Sequence, residues 1–501
     1  MKKKISGLGK IIVNTALLSG ALLASSLMPL SCGGGSGGVV SNRAPIINAI
    51  NDRSVDEGGS LIINLSNYVT DPDGDAVVIR SSGVGGVNDG IFSYHDVRDA
   101  DKNNNSHVVS VEAEDSVGNI SRSEFRITQN DLFSLTHPEF FNDRVNWISY
   151  SPTNFDPDMK VFPSEQSVRD DLKTLVNANF KGLITYGSDN ILGSVPRIAK
   201  EEGFKYVVMG VWNFDNLEEW DNALSAKGVV DAYCVGNEGL SGGRYSLKDL
   251  ESKISELKVL TEKPVTTTEP SGEYDSELSS VGDWLFPNAH PYWSGIADPK
   301  EAAAWTVQKI SEFESLASGD GKFVVLKEVG LPSGGDVGMG EENQRDYYLT
   351  LEKLTSDSKR VSWAYFEAFD QLWKDWADVE PHWGILNSDR SLKEVSKPHI
   401  IHTSWSGGNI YGKVLNVLPN DYRISTYINV RGTWWMKPYW DNPLTSIKAD
   451  GTWGTDITTG GVDSEASRVH SSLVTPDYVP VYHTLPSISD SKVLTNTQTI
   501  K

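Results

Sequence analysis

The stretch DAYCVGNEGL (residues 231–240) begins as an apolar run typical of a buried β-strand and ends in Gly236-Asn237-Glu238-Gly239. Glycine on both sides of an Asn-Glu pair is unfavourable for a helix and for a continuing strand. The stretch therefore raises the question of why a buried strand should end on a carboxylate beside an amide, and the neighbouring segments answer it.

The surrounding region, from about Asn142 to Lys393, repeats a strand-then-helix pattern. Its strand candidates are VNWISYS, GLITYGS, KYVVMGVW, VDAYCVG, PVTTTE, DWLFPNAH, KFVVLKE and RVSWAYFEAF. Helical patterns lie between most of them, although the fifth crossover (SGEYDSELSS) is short and weak. About eight β/α units in roughly 250 residues have the size and order of a TIM barrel, and no Gly-rich phosphate loop supports the rival doubly wound sheet. We therefore predict a (β/α)8 barrel over residues 140–400.

The regions on both sides of the barrel lack a helical period. Residues 44–130 and 405–490 contain short strand-like runs separated by turn signals, so we predict a multidomain chain with an all-β sandwich at each end. Residues after about Pro486 are polar and are expected to fray. Trp434, Trp435, Trp440 and Trp453 in the last module suggest carbohydrate binding, but strand-borne tryptophans more often fill a sandwich core, and the core is the preferred interpretation.

The N-terminal module resembles the cadherin-like and immunoglobulin-like modules of bacterial surface proteins, in the segments VTDPDGDAVV and VEAEDSVGN. Asp71, Asp73 and Asp75 could hold Ca²⁺, which prefers carboxylate oxygens. An Asp- and Gly-rich turn is the preferred alternative. The later segment DADKNNN does not fit an EF-hand, because Asn104 stands at its sixth position.

The first 43 residues have the pattern of a targeting signal and a tether. Residues 1–31 combine a basic start with an interrupted apolar stretch, and Cys32 follows at its end. This pattern resembles a bacterial lipoprotein signal, which implies that Cys32 is lipidated, although Pro29 stands where leucine is typical. An ordinary cleaved signal or an uncleaved anchor is the alternative. Residues 32–43 are expected to form a Gly/Ser-rich flexible linker. We thus expect a monomer at the bacterial cell envelope, on the outer membrane or cell surface, held to the membrane only by its lipid anchor.

Composition restricts the class of ligand. The 501-residue chain has a formal net charge of -22, which argues against nucleic acid or an anionic membrane bound through a basic face. An uncharged ligand such as a sugar fits this balance better. The second cysteine, Cys234, lies within a predicted strand, so we expect neither a disulfide with Cys32 nor chemistry at its thiol.

Functional residues of such a barrel collect at the carboxyl-terminal ends of the strands. Those ends carry Tyr186, Asn237, Glu238, Glu269, His290, Tyr292, Glu328 and the segment Glu367 to Asp370. Glu238 ends the fourth strand and Glu328 the seventh, on opposite sides of the barrel mouth. Two facing carboxylates, one protonated and one ionised, are the minimal equipment for cleaving a glycosidic bond. Asn237 can hydrogen-bond the 2-hydroxyl of the sugar. The opening strand therefore ends where the barrel mouth begins.

The motifs VGNE, NAHPYW, KEVGLPS and FEAFDQLWK…VEPHWG resemble family 17 glycoside hydrolases, whose best-known members act on β-1,3-glucans. The resemblance covers most of residues 145–394. It implies a retaining hydrolase of laminarin-type β-1,3-glucan, with Glu238 as acid/base and Glu328 as nucleophile, and without metal or organic cofactor. Asp370, Lys374 and Glu380 match a charged cluster near the nucleophile in that family, and the resemblance assigns them to substrate binding.

Two departures concern the subsites: Leu331 stands where the family usually has Trp, and an Arg often found just ahead of the strand-two tyrosine is absent from LITYG.

Several roles stay open at this level. Glu269 either touches substrate or supports the acid, Lys374 either touches substrate or organises the site by ion pairing, and His290 and Tyr292 are assigned to sugar contact over packing. Trp373 and Trp383 either line subsites or close the barrel. A β-1,3-glucanosyltransferase on the same site is one alternative function, and a non-catalytic glucan-binding surface lipoprotein is another.

Overall fold

The computed structural model describes residues 42–56, 60–95, 106–130, 138–318 and 321–501. The predicted signal, Cys32, most of the linker and the segment DADKNNN lie outside the described residues. Within the described part, no helix has the length and apolar character needed to cross a bilayer.

The described part of the N-terminal module contains nine strands around one apolar core. The strands are β1 (Ile46–Ile47), β2 (Arg53–Asp56), β3 (Ser60–Asn64), β4 (Val69–Thr70), β5 (Val78–Ser82), β6 (Gly86–Asn88), β7 (Ile91–His95), β8 (Ser106–Glu114) and β9 (Ile120–Asn130). Their sheets have the orders β2-β9-β8-β5, β3-β7-β6 and β1-β4. Phe92 of β7 meets Phe125 of β9 edge-on at 5.5 Å, so the core joins the two larger sheets. Burial alternates along β8, with Val109 and Val111 inside, as a half-buried strand requires.

The Asp-rich segment of this module is a turn closed by its own side chain. Asp71 Oδ1 accepts hydrogen bonds from the backbone N–H groups of Asp73 and Asp75 at 2.8 and 3.0 Å. This geometry agrees with the preferred turn interpretation. Carboxylate oxygens of Asp71, Asp75 and Asp115 also lie within 4.8 Å of one another, whereas Asp73 pairs with Arg43.

The central region forms the predicted barrel. Its strands are β10 (Asn146–Ser149), β11 (Phe180–Ile184), β12 (Tyr206–Val211), β13 (Ala232–Val235), β14 (Val265–Thr266), β15 (Trp284–Leu285), β16 (Asn288–Ala289), β17 (Phe323–Val324), β18 (Leu326–Val329) and β19 (Trp363–Tyr365). Eight of them form one parallel sheet in the order β14-β13-β12-β11-β10-β19-β18-β16. Backbone hydrogen bonds from Asn288 N–H to Glu269 O at 3.0 Å, and from Ser271 N–H to Asn288 O at 2.8 Å, join its two ends. The sheet is therefore closed.

Among the residues that the structure describes, six α-helices surround the strands: α1 (Glu165–Asn177), α2 (Val195–Glu202), α3 (Leu217–Ser225), α4 (Leu247–Thr261), α5 (Pro299–Ala317) and α6 (Glu341–Leu354). Helix α1 shows why these segments are helical. Ser164 caps its first turn, and Val168, Leu172 and Leu175 follow at helical spacing and are buried against the sheet. In the described chain the weak fifth crossover forms only a 3₁₀ turn, Leu278–Ser280, and no α-helix follows β19.

Alternate strand residues fill the barrel interior. Trp147, Ile184, Val208, Ala232 and Cys234 belong to this inner cluster, whereas their strand neighbours pack against the helices. The inner cluster supports the cleft from below.

The C-terminal module has eight strands: β20 (His399–Ser406), β21 (Asn409–Leu415), β22 (Arg423–Val430), β23 (Thr433–Lys437), β24 (Leu444–Ser446), β25 (Thr452–Asp456), β26 (Arg468–Val474) and β27 (Val493–Ile500). They form sheets of order β20-β21-β25 and β23-β22-β26-β27, with β24 on β22. Lys413 of β21 pairs with Glu352 at 2.7 Å and donates to Asn146 at 3.0 Å. Asn146 begins β10, so the module contacts the barrel at the end opposite the cleft.

One prediction for this module is wrong. The polar segment after Pro486 is not frayed, since β27 pairs with β26 from Val493 to Ile500. The segment is polar because it is half exposed, but its alternating Thr residues suit a strand. Of the four tryptophans assigned to the core, Trp453 is buried, whereas Trp435 is 44% exposed and Trp440 71% exposed.

Candidate active site

A cleft of about 1150 Å³ lies at the carboxyl-terminal ends of the barrel strands. Eight predicted site residues line it: Tyr186, Asn237, Glu238, His290, Glu328, Trp373, Lys374 and Glu380. The structure thus brings together both predicted catalytic carboxylates and most of their predicted neighbours.

Glu238 lies in a loop whose backbone is tightly constrained. Its φ is +53°, a left-handed conformation that is uncommon for a residue with a side chain. The Tyr245 ring packs on this loop, so closely that a Cβ atom on Gly236 would lie 2.1 Å from its hydroxyl and one on Gly239 would lie 2.2 Å from the ring. The two glycines therefore flank the Asn-Glu pair because Tyr245 leaves no room for side chains there.

Glu269 holds the same loop from behind. Its Oε1 accepts hydrogen bonds from the N–H groups of Gly239 and Leu240, both at 3.0 Å, and from the Tyr245 hydroxyl at 3.2 Å. Glu269 is fully buried, and its burial, which outweighs these hydrogen bonds, raises the pKa of its carboxyl. Of the two roles that the sequence left open for Glu269, these contacts favour support of the Glu238 loop over contact with substrate.

Asn288 connects the two sides of the cleft. Its side-chain amide donates to Glu238 Oε1 at 2.8 Å and accepts from the Thr268 hydroxyl at 2.9 Å. Its backbone pairs in register with Glu328 in the next strand. Asn288 thus holds Glu238 at a fixed place relative to the strand that carries Glu328.

Glu328 lies on an irregular part of β18. Leu326 pairs with Trp363 but Val329 pairs with Tyr365, so β18 has one more residue than β19 over this stretch. Leu326 and Val329 both pack outward against the helices. The extra residue allows the two side chains between them, Lys327 and Glu328, to lie inside the barrel together.

Lys327 and His290 both contact the Glu328 carboxylate. The Lys327 ammonium lies 2.8 Å from Glu328 Oε1, and His290 Nε2 lies 3.2 Å from Oε2. Burial alone would raise the pKa of Glu328, but the charge of Lys327 and the His290 contact outweigh it and lower that pKa to about 2. The carboxyl is therefore ionised across the working range of ordinary enzymes.

A second buried ion pair lies at the end of β19. Lys374 donates to Glu367 Oε1 at 2.6 Å, and Glu367 has no exposed surface. Its burial dominates, and with repulsion from Glu328 it raises the pKa of Glu367 to about 7 despite Lys374. Lys374 therefore organises the site by ion pairing while also lining the cleft.

The charged cluster predicted around Lys374 is divided in two. Glu380 lines the cleft, and burial raises the pKa of its carboxyl. Asp370, in contrast, pairs with Lys393 at 2.6 Å and accepts from the Gly384 N–H at 3.0 Å. Its assignment to substrate binding is corrected, because among the described residues it lies outside the cleft lining and closes the loop after β19.

The predicted sugar contact of Tyr292 also needs correction. Its hydroxyl donates to Asp336 at 2.8 Å, and the neighbouring Trp293, 56% exposed, lines the cleft in its place. Tyr292 and Trp293 face different directions because they are adjacent residues in a 3₁₀ turn.

Aromatic side chains cover much of the cleft wall. Trp383 is 1% exposed and contacts the His290 and Phe366 rings, so it mainly closes the barrel, whereas Trp373 is only partly buried. On the other side, the Arg244 guanidinium lies 4.4 Å from the centre of the Trp212 ring. Trp212 is nevertheless 41% exposed, and exposed aromatic surface of this kind suits the apolar faces of sugar rings.

Sequence reasoning missed Asn288, Lys327 and Trp212, and it left Glu367 without a role. A signal for Lys327 is present: a lysine inside the apolar strand KFVVLKEV is expensive to bury unless it is paired. Asn288 offers a weaker signal, since it stands two residues before His290.

A closed eight-stranded parallel barrel, whose cleft is lined by two carboxylates of different environments, has the arrangement that cleavage of a glycosidic bond requires. Residues 148–384 match the model of the "BtgE/BtgC glycoside hydrolase domain", and the barrel is similar to proteins of glycoside hydrolase family 17.

Relatives of this family match the barrel region. "Probable family 17 glucosidase SCW10" of Saccharomyces cerevisiae is 28% identical over 261 residues, which are 48% of this chain and 64% of that protein. "Probable glucan endo-1,3-beta-glucosidase btgC" of Aspergillus fumigatus is 26% identical over 281 residues, 47% of this chain and 40% of that protein. The chain thus spans less than two thirds of the length of these curated relatives.

A solved family 17 β-1,3-glucanosyltransferase from Rhizomucor miehei aligns with 51% of this chain and 97% of its own, at 23% identity and a TM-score of 0.44.

Proposed function

We propose that the barrel hydrolyses β-1,3-glucan with retention of configuration, with Glu328 as nucleophile and Glu238 as acid/base. The observation that carries the assignment is the asymmetry of the two carboxyls. Glu328 is buried and ion-paired with Lys327, which suits a nucleophile that must be ionised. Glu238 is only partly buried and is bound by a neutral amide, which suits a group that must gain and lose a proton.

The reaction follows in two balanced steps. Glu328 attacks the anomeric carbon while the bond to the leaving sugar oxygen breaks and Glu238 gives that oxygen its proton. Glu238, now ionised, takes a proton from water, whose oxygen attacks the anomeric carbon as the bond to Glu328 breaks. Asn288 donates to Oε1 of Glu238, so the proton that an acid needs would sit on Oε2.

The substrate assignment rests on the family and on the relatives named for 1,3-β-glucan. We expect laminarin-type oligosaccharides to be cut much faster than cello- or xylo-oligosaccharides of equal length, and proton NMR to detect the β-anomer as the first product. Equal rates on cello-oligosaccharides, or an α-anomer first, would contradict the proposal. Products longer than the starting oligosaccharide would point to a glucanosyltransferase.

The remaining parts of the chain are proposed to be accessory. We propose that the two all-β modules are sandwich domains that hold the monomeric enzyme at the bacterial cell envelope, and that Cys32 carries the lipid anchor. Cys32→Ser should release the protein from the membrane fraction without changing kcat on soluble substrate. Detection of a mature start elsewhere by mass spectrometry would reject the anchor.

A further inference from the structure

Lys327 is a buried cation directly beside the proposed nucleophile. Its side chain is 1% exposed, and its ammonium contacts Glu328 Oε1 at 2.8 Å and donates to Asn237 Oδ1. The ammonium also lies 4.1 Å from the centre of the Tyr186 ring. One cation therefore touches the nucleophile, the amide before the acid/base and an aromatic of the cleft floor.

The position of Lys327 depends on the bulge in β18. In a regular strand the residue before Glu328 would point toward the helices, as Leu326 and Val329 do. The segment before Tyr186, Leu183–Thr185, carries no cationic side chain. The positive charge beside Glu328 thus comes from its own strand.

We propose that Lys327 is a positioning residue which keeps Glu328 anionic and at the same time fixes the orientation of the Asn237 amide. The proposal rests on the proposed function of the barrel. Because the ammonium can only donate, Asn237 must turn its oxygen toward Lys327. Its NH2 group is then directed away from the ammonium and is the end that can donate to a hydroxyl oxygen of the sugar in the cleft, which Asn237 lines.

Other groups also act on Glu328 and must be separated from Lys327. The titratable groups that interact with Glu328 or Lys327 from neighbouring elements are Tyr186, Cys234, His290, Glu367 and Glu380. Of these, His290 contacts Glu328 Oε2 at 3.2 Å, and Tyr186 also interacts with the Glu328 carboxylate through its hydroxyl.

The test compares Lys327→Met and Lys327→Gln with Lys258→Met. Lys258 provides a matched control, since it forms an equally buried ion pair with Asp283, at 2.8 Å, outside the cleft. The substrates are an aryl β-laminaribioside and its analogue without the 2-hydroxyl on the sugar at the cleaved bond. Circular dichroism and thermal unfolding establish that each variant is folded.

For Lys327→Met we expect the acid limb of the kcat/KM profile to rise by about two pH units or more, because burial then acts on Glu328 without its cation. We expect kcat to fall on the order of 100-fold with a smaller change in KM. The preference for the substrate with the 2-hydroxyl should shrink about tenfold, since Asn237 is free to turn. Lys327→Gln keeps a donor without a charge, so its acid limb should rise similarly while more of the preference remains.

Lys258→Met should keep the wild-type acid limb and the wild-type preference. An active wild type whose two Lys327 variants keep both properties would overturn this inference and leave the proposed function standing. If Lys327→Met does not fold, an unshifted acid limb in Lys327→Gln overturns the inference by itself. A wild type inactive on every β-glucan would overturn both proposals.

Discussion

Two buried glutamate–lysine pairs lie in this barrel mouth, and the pKa values of their glutamates shift in opposite directions. Glu328 and Glu367 have nearly the same burial and similar distances to their lysines, 2.8 and 2.6 Å. The pKa of Glu328 nevertheless falls to about 2, whereas that of Glu367 rises to about 7. A buried ion pair is therefore not enough to fix the charge of a carboxyl.

The difference comes from the second oxygen of each carboxylate. Oε2 of Glu328 contacts His290, while Oε2 of Glu367 is buried without a hydrogen-bond partner in the structure. Glu367 is also repelled by Glu328 and Asp370. At Glu328, two favourable partners outweigh the cost of burying an anion. At Glu367, the single partner does not outweigh that cost and the repulsion from two neighbouring carboxylates. The pair at Glu328 is built for an anion, and the pair at Glu367 for a carboxyl that holds its proton until neutral pH.

Removing the first of these carboxyls should have the largest effect. Glu328→Gln preserves shape but replaces the nucleophilic carboxylate by a neutral amide, so kcat should fall by on the order of 10⁴-fold or more on glucan and on aryl glycosides alike. Glu367→Gln is the matched control and should lose far less, because Glu367 lies outside the cleft lining. If Glu328→Gln and Glu367→Gln lose kcat equally, the difference between the two ion pairs has no bearing on catalysis.

The second largest effect is expected at Glu238, and it distinguishes the catalytic role of Glu238 from that of Glu328. Glu238→Ala should reduce glucan cleavage on the order of 10²–10⁴-fold, because the leaving alcohol needs a proton. An aryl glucoside with a good leaving group should keep its first step, and azide should restore turnover by attacking the intermediate without deprotonation.

The rescue product should be a β-glycosyl azide, since two inversions retain configuration. An α-azide obtained from Glu328→Ala instead would exchange the two roles. Absence of rescue in Glu238→Ala, with both substrates lost equally, would leave Glu238 as a structural residue.

These pairs also mark what the sequence could predict. Glu238 and Glu328 follow strong strand patterns, so their meeting at one barrel mouth could be inferred from period and topology alone. Glu269 and Asp370 also follow strands, yet they point behind the cleft, because the direction of a side chain after a strand depends on loop conformation. Lys327 was missed because strict alternation would place it outside, and only the bulge in β18 turns it inward.

The smallest expected effect concerns stability, and it separates the two pairs by pH. In the unfolded chain both glutamates titrate near 4.5, the ordinary value. Between about pH 4.5 and 7 folded Glu367 keeps a proton that the unfolded chain has released, so rising pH favours unfolding in this window. At about 1.4 kcal/mol per pH unit, the stabilising contribution lost is of the order of a few kcal/mol. For Glu328 the sign reverses: its stabilising contribution is present above about pH 4.5 and is lost as pH falls toward 2.

Urea unfolding from pH 3 to 8 should therefore show the free-energy difference between wild type and Glu367→Gln changing above pH 4.5, with the stability of the wild type decreasing as pH rises. The difference between wild type and Glu328→Gln should change only below pH 4.5. If both differences change in the same window, the two pairs do not hold opposite charge states, and the contrast between them fails.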